Sequence, residues 1–151
     1  MKIFAVDQAS SCGWCFSDGE QLTAGLWDLS IHKGETNGKR LLRFWRRLEM
    51  AWTMYGGFDV LVCERVGHLK GHANRVLPAL LGVLELWAEM KLVPLEIYSA
   101  KEVKKFATGD GNANKEKMLE FAVRKWKGLC IIDHNMADAL WLLDFAKEQR
   151  K

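Results

Sequence analysis

Short continuous runs of apolar residues alternate along the chain with longer segments in which apolar residues recur every three or four positions. The continuous runs predict five β-strands, at 2–6, 13–17, 22–29, 58–64 and 92–98. The longer segments predict four helices, at about 41–55, 75–90, 115–126 and 135–147. Asp18-Gly19 is typical of a hairpin turn, and Ser99 with Glu102 forms a capping box that predicts a further short helix. Pro78 either begins the second long helix or kinks it.

The order of these elements predicts an α/β fold built on one five-stranded mixed sheet flanked by helices. The first three strands are joined by short connections, so they should form an antiparallel meander. The strands at 58–64 and 92–98 each follow a helix and should therefore run parallel to the first strand. The length of 151 residues, without a visible repeat or low-complexity tract, indicates one domain over residues 1–151.

The composition is that of an ordinary globular protein, with 49% hydrophobic and 27% charged residues. The longest apolar-rich stretch, 76–88, is interrupted by Glu85 and is too short to span a bilayer. Residues 1–6 are too few for the core of a signal peptide. We therefore expect a soluble, cytoplasmic protein without a membrane segment, located in the host cell if a virus encodes it.

Positive charge is concentrated in two parts of the chain, although the net charge is only +3. Residues 101–127 contain eight basic and four acidic residues, and KRLLRFWRR at 39–47 adds a basic helix surface. Clusters of this kind either keep a protein soluble or bind a polyanion such as a nucleic acid. The charge pattern alone leaves both interpretations open.

The four cysteines are expected to be packing residues, because a disulfide framework does not suit this compartment. They are Cys12, Cys15, Cys63 and Cys130. CGWC at 12–15 has the spacing of a redox motif, but no helical pattern follows it, as a thioredoxin-like motif requires. A zinc site needs further ligands at a suitable spacing, and none is evident in the sequence.

Two of the apolar strands end in a carboxylate, and a third carboxylate lies near the start of the last helix. Asp7 directly follows the first strand, Glu64 closes the fourth, and Asp138 is expected in the first turn of the helix at 135–147. If the two strands are parallel neighbours, their acids meet at the carboxyl end of the sheet. Three carboxylates at one point repel one another unless a cation joins them, and hard oxygen ligands suit Mg²⁺ or Mn²⁺.

Each of these acids also has a purely structural explanation. Asp7 could be a turn residue, Glu64 could pair with Arg65 or a neighbouring lysine, and Asp138 could complement the helix dipole. A shared metal site explains all three positions at once, whereas the structural interpretation needs three unrelated explanations.

Four motifs occur in order along the chain: Asp7 followed by GW at 13–14, Glu64 within VCERV, VKKFATGDGNANKEKM at 103–118, and ADAL at 137–140. The third matches a VK-x(n)-G-x-G-x-A-x-K segment, including the eleven-residue step from Lys104 to Lys115. ADAL alone would be a weak signal, but the ordered set is specific. Over essentially its whole length the chain resembles the RuvC-type Holliday junction resolvases, members of the RNase H-like or retroviral integrase superfamily.

The resemblance implies an RNase H-like fold and a metal-dependent, structure-selective DNA endonuclease, a hydrolase that resolves Holliday junctions in recombination and repair. In such an enzyme Asp7, Glu64 and Asp138 would be catalytic metal ligands, and Lys104 and Lys115 would bind DNA phosphate near the cut. Two Mg²⁺ ions per active site, replaceable by Mn²⁺, would support in-line hydrolysis with a 5′-phosphate product. Cutting two strands symmetrically needs two active sites, so a homodimer on branched DNA is expected.

The chain departs from the family pattern at the fourth metal ligand. The family usually places Asp or His three residues before the last aspartate, where this chain has Asn135. An amide oxygen brings no charge, and asparagine is a favoured helix N-cap whose side chain is then engaged by backbone N–H groups. Asp133 and His134 are the adjacent alternatives, and on charge grounds Asp133 is the predicted fourth catalytic and metal-binding residue.

A second departure lies in the loop after Glu64, RVGHLKGH at 65–72. It lacks the aromatic residue that relatives wedge into the junction, so His68 or Leu69 would have to replace it. Two alternative functions stay open. One is an RNase H-like nuclease acting on other branched DNA or on RNA-containing substrates, since such enzymes share the fold and the catalytic acids. The other is a catalytically weak junction-binding protein, expected if the change at the fourth ligand abolishes metal binding.

Overall fold

Five strands form one mixed sheet at the centre of the computed structural model, which describes residues 1–67, 71 and 73–151. The strands are β1 Ile3–Asp7, β2 Ser11–Ser17, β3 Leu22–Asp28, β4 Val60–Glu64 and β5 Leu95–Tyr98. Their order is β3-β2-β1-β4-β5, with β2 antiparallel to β1 and β3 and with β4 parallel to β1 and β5. The predicted strands and their directions are confirmed.

In the described part of the chain, five helices flank this sheet: α1 Asn37–Tyr55, α2 Ala73–Lys91, α3 Ala100–Thr108, α4 Lys115–Lys125 and α5 His134–Glu148. Helix α1 ends at Gly56, which adopts a left-handed conformation with φ of 65°, and α3 begins with the predicted capping box of Ser99 and Glu102. Pro78 lies inside α2 and does not begin it. None of these helices is both long and apolar enough to cross a membrane.

The sheet separates two hydrophobic clusters. Side chains alternate along a strand, so Phe4 and Val6 of β1 pack with α1 and α2, whereas Ile3 and Ala5 pack with α3, α4 and α5. Strand β4 contributes to the two clusters in the same alternating way. Because β1 and β4 are buried on both faces, they appear in the sequence as unbroken apolar runs.

The cysteines follow this layered arrangement with one exception. Cys12 and Cys15 of β2 belong to opposite hydrophobic clusters, so they point to different faces of the sheet and do not form a redox pair. Burial raises the pKa of the thiols of Cys12, Cys15 and Cys63 above the usual range, as expected for packing residues. Cys130 is exposed, so the prediction that all four cysteines are packing residues is wrong for this one.

Gly13 allows α5 to approach the sheet closely. Helix α5 packs on β2 and β1, and Gly13 pairs with Asp7 across the β1–β2 ladder. A Cβ atom at position 13 would lie 1.9 Å from the carbonyl oxygen of Asn135 and 2.9 Å from the backbone nitrogen of Met136. No side chain fits in this space unless the helix moves, so glycine is required here. The first turn of α5 is thereby held against the end of β1.

We expect Gly13→Ala to lower the free energy of unfolding by about 2 kcal/mol or more, because the added methyl group would meet backbone atoms that cannot rotate away. Gly82→Ala on α2 is a matched control, since a Cβ there meets no atom within 4 Å. The control should raise the free energy of unfolding by about 0.5–1 kcal/mol. Urea unfolding followed by circular dichroism measures both, and equal effects of the two substitutions would contradict the proposed contact.

Candidate active site

A cavity of about 320 Å³ opens where β1 and β4 end. Three carboxylates and two lysines line it: Asp7, Glu64, Asp138, Lys104 and Lys115. The structure therefore brings five of the six residues that the sequence predicts for the site into one cavity. Asp133, the sixth, is not among the lining residues.

The register of two parallel strands places Asp7 beside Glu64. Val6 pairs with Cys63, and each acid is the next and last residue of its strand. Because side chains alternate, both acids lie on the same face as Ala5, which packs against α5. The sheet thus presents two carboxylates toward the helix that holds the third.

Asp138 is held at the cavity by the apolar face of α5. Ala137, Leu140 and Trp141 are buried, as the sequence predicts. The helix begins at His134, so Asp138 lies one turn inside it and the prediction of a first-turn position is wrong. The favourable effect of a helix dipole on an acid falls off within the first turn, so the dipole is a weak explanation for Asp138.

Burial and mutual repulsion raise the pKa values of these carboxyl groups. The pKa of Asp7 is raised well above its usual range, by burial first and then by the charges of Asp138 and Glu64. The pKa of Asp138 is raised to about 6, again by burial first and then by Glu64. Burial also raises the pKa of Glu64. The ionised acids therefore destabilise the fold at neutral pH, and a bound cation would offset that cost.

Two lysines bring positive charge to the same cavity from separate helices. Lys104 lies on α3, and its charge lowers the pKa of Glu64 and of Asp138. Lys115 is the first residue of α4, and its charge lowers the pKa of Asp7 and of Asp138. Among the described residues neither lysine forms an ion pair within 4.0 Å. Both ammonium groups are therefore available to an anionic ligand.

At the start of α5, the residue that caps the helix is different from the expected one. Asp133 is the N-cap, and its Oδ1 accepts a hydrogen bond from the backbone nitrogen of Met136 at 3.0 Å. The expectation that Asn135 is the N-cap is therefore wrong. His134 and Asn135 line the cavity instead. The charge of Asp133 still raises the pKa of Asp7, and its role as a metal ligand stays a prediction.

The donor set at the cavity fits a hard divalent cation, although the side chains do not form a finished ligand cage. Within residues 1–67, 71 and 73–151, no three His, Cys, Asp or Glu side chains are close enough to hold one metal ion as placed. Repulsion between uncompensated carboxylates disfavours a tighter cluster. The lining nevertheless supplies three half-buried acidic side chains, and Oε1 of buried Gln8 lacks a hydrogen-bond partner. These are the oxygen donors that Mg²⁺ and Mn²⁺ prefer.

The basic cluster of α1 lies on the other side of the sheet from the carboxylates. Arg40 is buried and donates from Nε to a main-chain carbonyl at 2.9 Å, and Arg43 pairs with Glu35. These two arginines therefore stabilise the fold. Lys39, Arg46 and Arg47 are exposed, which leaves a smaller basic surface than the sequence suggests.

The loop after β4 is described at residues 65–67 and 71. The backbone nitrogen of Arg65 donates to the carbonyl oxygen of Tyr98 at 2.8 Å, which extends the contact between β4 and β5 by one residue. His68 and Leu69, the predicted replacements for the aromatic wedge, lie outside the described residues.

The sheet order, the strand directions and the helices on both faces define an α/β RNase H-like fold.

Two solved structures of RuvC from Thermus thermophilus have a similar fold. The Thermus thermophilus RuvC structure is 21% identical, with a TM-score of 0.74, and the match covers 99% of this chain and 97% of that chain. The structure of T. thermophilus RuvC in complex with Holliday junction substrate is 19% identical, with a TM-score of 0.79, and the match covers 99% and 96%. No family model matches the chain, and no curated protein matches its sequence. The predicted fold is confirmed.

We expect the metal-free protein to lose stability as the pH rises from about 4 to about 6. In this window folded Asp138, with its pKa raised to about 6, holds a proton that the unfolded chain has released, so the free energy of unfolding falls with pH. Asp138→Asn should reduce this fall and raise the free energy of unfolding at pH 8 by about 1–3 kcal/mol. Chemical unfolding in EDTA at several pH values measures the free energy of unfolding of the unsubstituted protein and of the variant.

Asp144→Asn provides the matched control for this experiment. Asp144 lies on the same helix but forms an ion pair with Lys125. Its substitution should leave the stability at pH 8 unchanged or slightly lower. Equal stabilisation by both substitutions would contradict carboxylate repulsion at the cavity.

Proposed function

We propose that the chain is a RuvC-like, metal-dependent endonuclease that resolves four-way DNA junctions by paired hydrolysis of phosphodiester bonds. The observation that best supports this function is the convergence of Asp7, Glu64 and Asp138 with Lys104 and Lys115 in one open cavity. Acids that bind divalent cations, next to lysines that bind phosphate, suit a phosphodiester substrate. The similar fold of a RuvC structure in complex with Holliday junction substrate supports branched DNA as that substrate.

In the proposed reaction the three acids bind divalent cations, and Mg²⁺ is the proposed ion, with Mn²⁺ able to replace it. Two such ions, when bound, supply Lewis acidity for in-line hydrolysis that leaves a 5′-phosphate product. The chain's own contribution is to hold Asp7 and Glu64 at adjacent strand ends and to bring Asp138 from the facing helix. Because these residues are positioned by the core, little rearrangement of the backbone is needed on binding.

Lys104 and Lys115 are the proposed contacts to the scissile phosphate. They reach the cavity from α3 and α4, on either side of the turn at Gly109. Gly109 has a φ of 81°, a left-handed conformation that favours glycine. An ammonium group beside a phosphate orients it and offsets the charge that develops during hydrolysis. Both residues should therefore affect the rate of cleavage more than the affinity for the junction, which a wider basic surface shares.

Resolution of a junction requires cuts in two strands, so we propose a homodimer with two active sites. Exposed apolar side chains at the end of α2 suit such a contact, because isolated copies would leave them in water. They are Leu86, Met90 and Leu92, with exposed fractions of 58%, 64% and 88%.

The test of substrate and cofactor uses purified protein with labelled four-way, Y-shaped, linear and RNA-containing duplexes, each with Mg²⁺, with Mn²⁺ or with EDTA. We expect metal-dependent paired cuts in the four-way junction and little cleavage of linear DNA. Cleavage mainly of Y-shaped or RNA-containing substrates would replace the proposal with an RNase H-like nuclease of different specificity. Tight junction binding without cleavage in any metal would indicate a junction-binding protein.

We expect Asp7→Asn, Glu64→Gln and Asp138→Asn each to lower junction cleavage by at least about 100-fold, because each removes one charge from the proposed ligand set. Junction affinity in EDTA should remain within a few-fold of that of the unsubstituted protein, since the sheet stays folded. Gel-shift and cleavage assays measure the two effects, and Asp144→Asn is the control that should cut normally. Full cleavage by any of the three variants would remove that acid from the site.

The fourth ligand can be identified by substituting three adjacent residues. The charge argument predicts that Asp133→Asn lowers cleavage more than His134→Ala or Asn135→Ala. Asp133→Asn also keeps a side chain that can cap α5, so the helix start is preserved and only the charge changes. Cleavage across a Mg²⁺ titration measures the effect. Normal cleavage by Asp133→Asn at low Mg²⁺, with an inactive Asn135→Ala, would assign the position to Asn135.

A further inference from the structure

Gln8 is a buried polar residue at the cavity that the motifs did not indicate. It follows Asp7 directly, is only 5% exposed, and lines the cavity together with the carboxylates. Its Nε2 donates a hydrogen bond of 2.7 Å to the backbone carbonyl oxygen of Glu64. The ladder between β1 and β4 ends with Val6 and Cys63, so this side chain continues the connection between the two strands beyond their last pair.

The hydrogen bond to Glu64 determines the orientation of the Gln8 amide. A carbonyl oxygen can only accept, so the amide nitrogen must face it and Oε1 must point elsewhere. Among the described residues, Oε1 of Gln8 is the one buried side-chain oxygen or nitrogen without a hydrogen-bond partner. A buried acceptor without a donor is costly, so native structures usually provide one from a water, an ion or a ligand.

The neighbouring side chains do not provide this donor. Ionised Asp7 and Glu64 are acceptors only, and neither Lys104 nor Lys115 donates to Gln8 among the hydrogen bonds of the described residues. A hydrated divalent cation held by the acids would provide it, because its coordinated waters are strong donors. A neutral amide oxygen can accept such a bond without adding to the repulsion between the carboxylates.

We infer that Gln8 is a positioning residue for the divalent cation, an inference that rests on the proposed metal-dependent function. Its amide nitrogen holds the backbone of Glu64 and so sets the separation of Glu64 from Asp7. When these two acids hold a hydrated cation, the amide oxygen of Gln8 would accept a hydrogen bond from it. Polar groups that support metal ligands in this way commonly change metal affinity 10- to 100-fold when they are removed.

The test measures Mn²⁺ affinity on the full chain without DNA, from the electron paramagnetic resonance signal of free Mn²⁺. Gln8→Met preserves the length of the side chain and removes both amide atoms, and it should weaken Mn²⁺ binding by at least about 10-fold. Gln21→Met is the matched control, because Gln21 is exposed in the β2–β3 turn. The Mn²⁺ affinity of this variant should stay within two-fold of that of the unsubstituted protein. If Gln8→Met does not fold, Gln8→Asn is the second variant. It keeps the amide group but shortens the side chain, and it should also weaken Mn²⁺ binding.

Circular dichroism and the melting temperature in EDTA separate a positioning role from a structural one. A folded Gln8 variant with a lower melting temperature and Mn²⁺ affinity within two-fold of the unsubstituted protein would overturn the inference and leave the proposed function standing. Absence of Mn²⁺ binding by the unsubstituted protein would overturn the metal site itself and the inference with it. Weakened Mn²⁺ binding in folded Gln8 variants, with an unchanged Gln21→Met control, would support the inference.

Discussion

The parallel pairing of β1 with β4 is the constraint on which the candidate site depends. Both strands are apolar and buried on both faces, and both end in an acid, so their common direction places Asp7 beside Glu64. If β4 ran the other way, the two acids would lie at opposite ends of strands of five residues, about 15 Å apart. The direction of β4 follows from α1. Strand β3 runs parallel to β1, and α1 carries the chain from the end of β3 back to the end of the sheet where β1 begins.

The site is assembled at a cost in stability that the two hydrophobic clusters must offset. Burial raises the pKa values of Asp7, Glu64 and Asp138, so keeping them ionised at neutral pH disfavours the folded state. The acids nevertheless stay together because their backbones belong to β1, β4 and α5, which are packed on the core. Functional sites commonly retain such unfavourable groups when a ligand relieves them.

The fold likeness and the site chemistry support the proposed function in different ways. Two structures of one protein, 19–21% identical to this chain, have a similar fold over nearly the full length, so quite different sequences can build this fold. A shared fold leaves the activity open, because unrelated functions occur on the same architecture. The acids and lysines in the cavity reduce the number of activities that fit, because the acids suit a cation and the lysines suit a phosphate.

The sequence by itself determined the strands, the helices and the acids at the strand ends, because apolar spacing and turn residues act over a few neighbouring positions. It also determined the connection lengths from which the strand directions follow. Only the tertiary structure decided which polar atoms near Asp7 and Asp138 are engaged. Asp133 caps α5, leaving Asn135 beside the cavity, and Gln8 bonds to Glu64, 56 positions along the chain. These hydrogen bonds depend on how closely α5 packs on Gly13 and on which distant segment of the chain supplies the partner atom. The spacing of residues along the sequence contains neither piece of information.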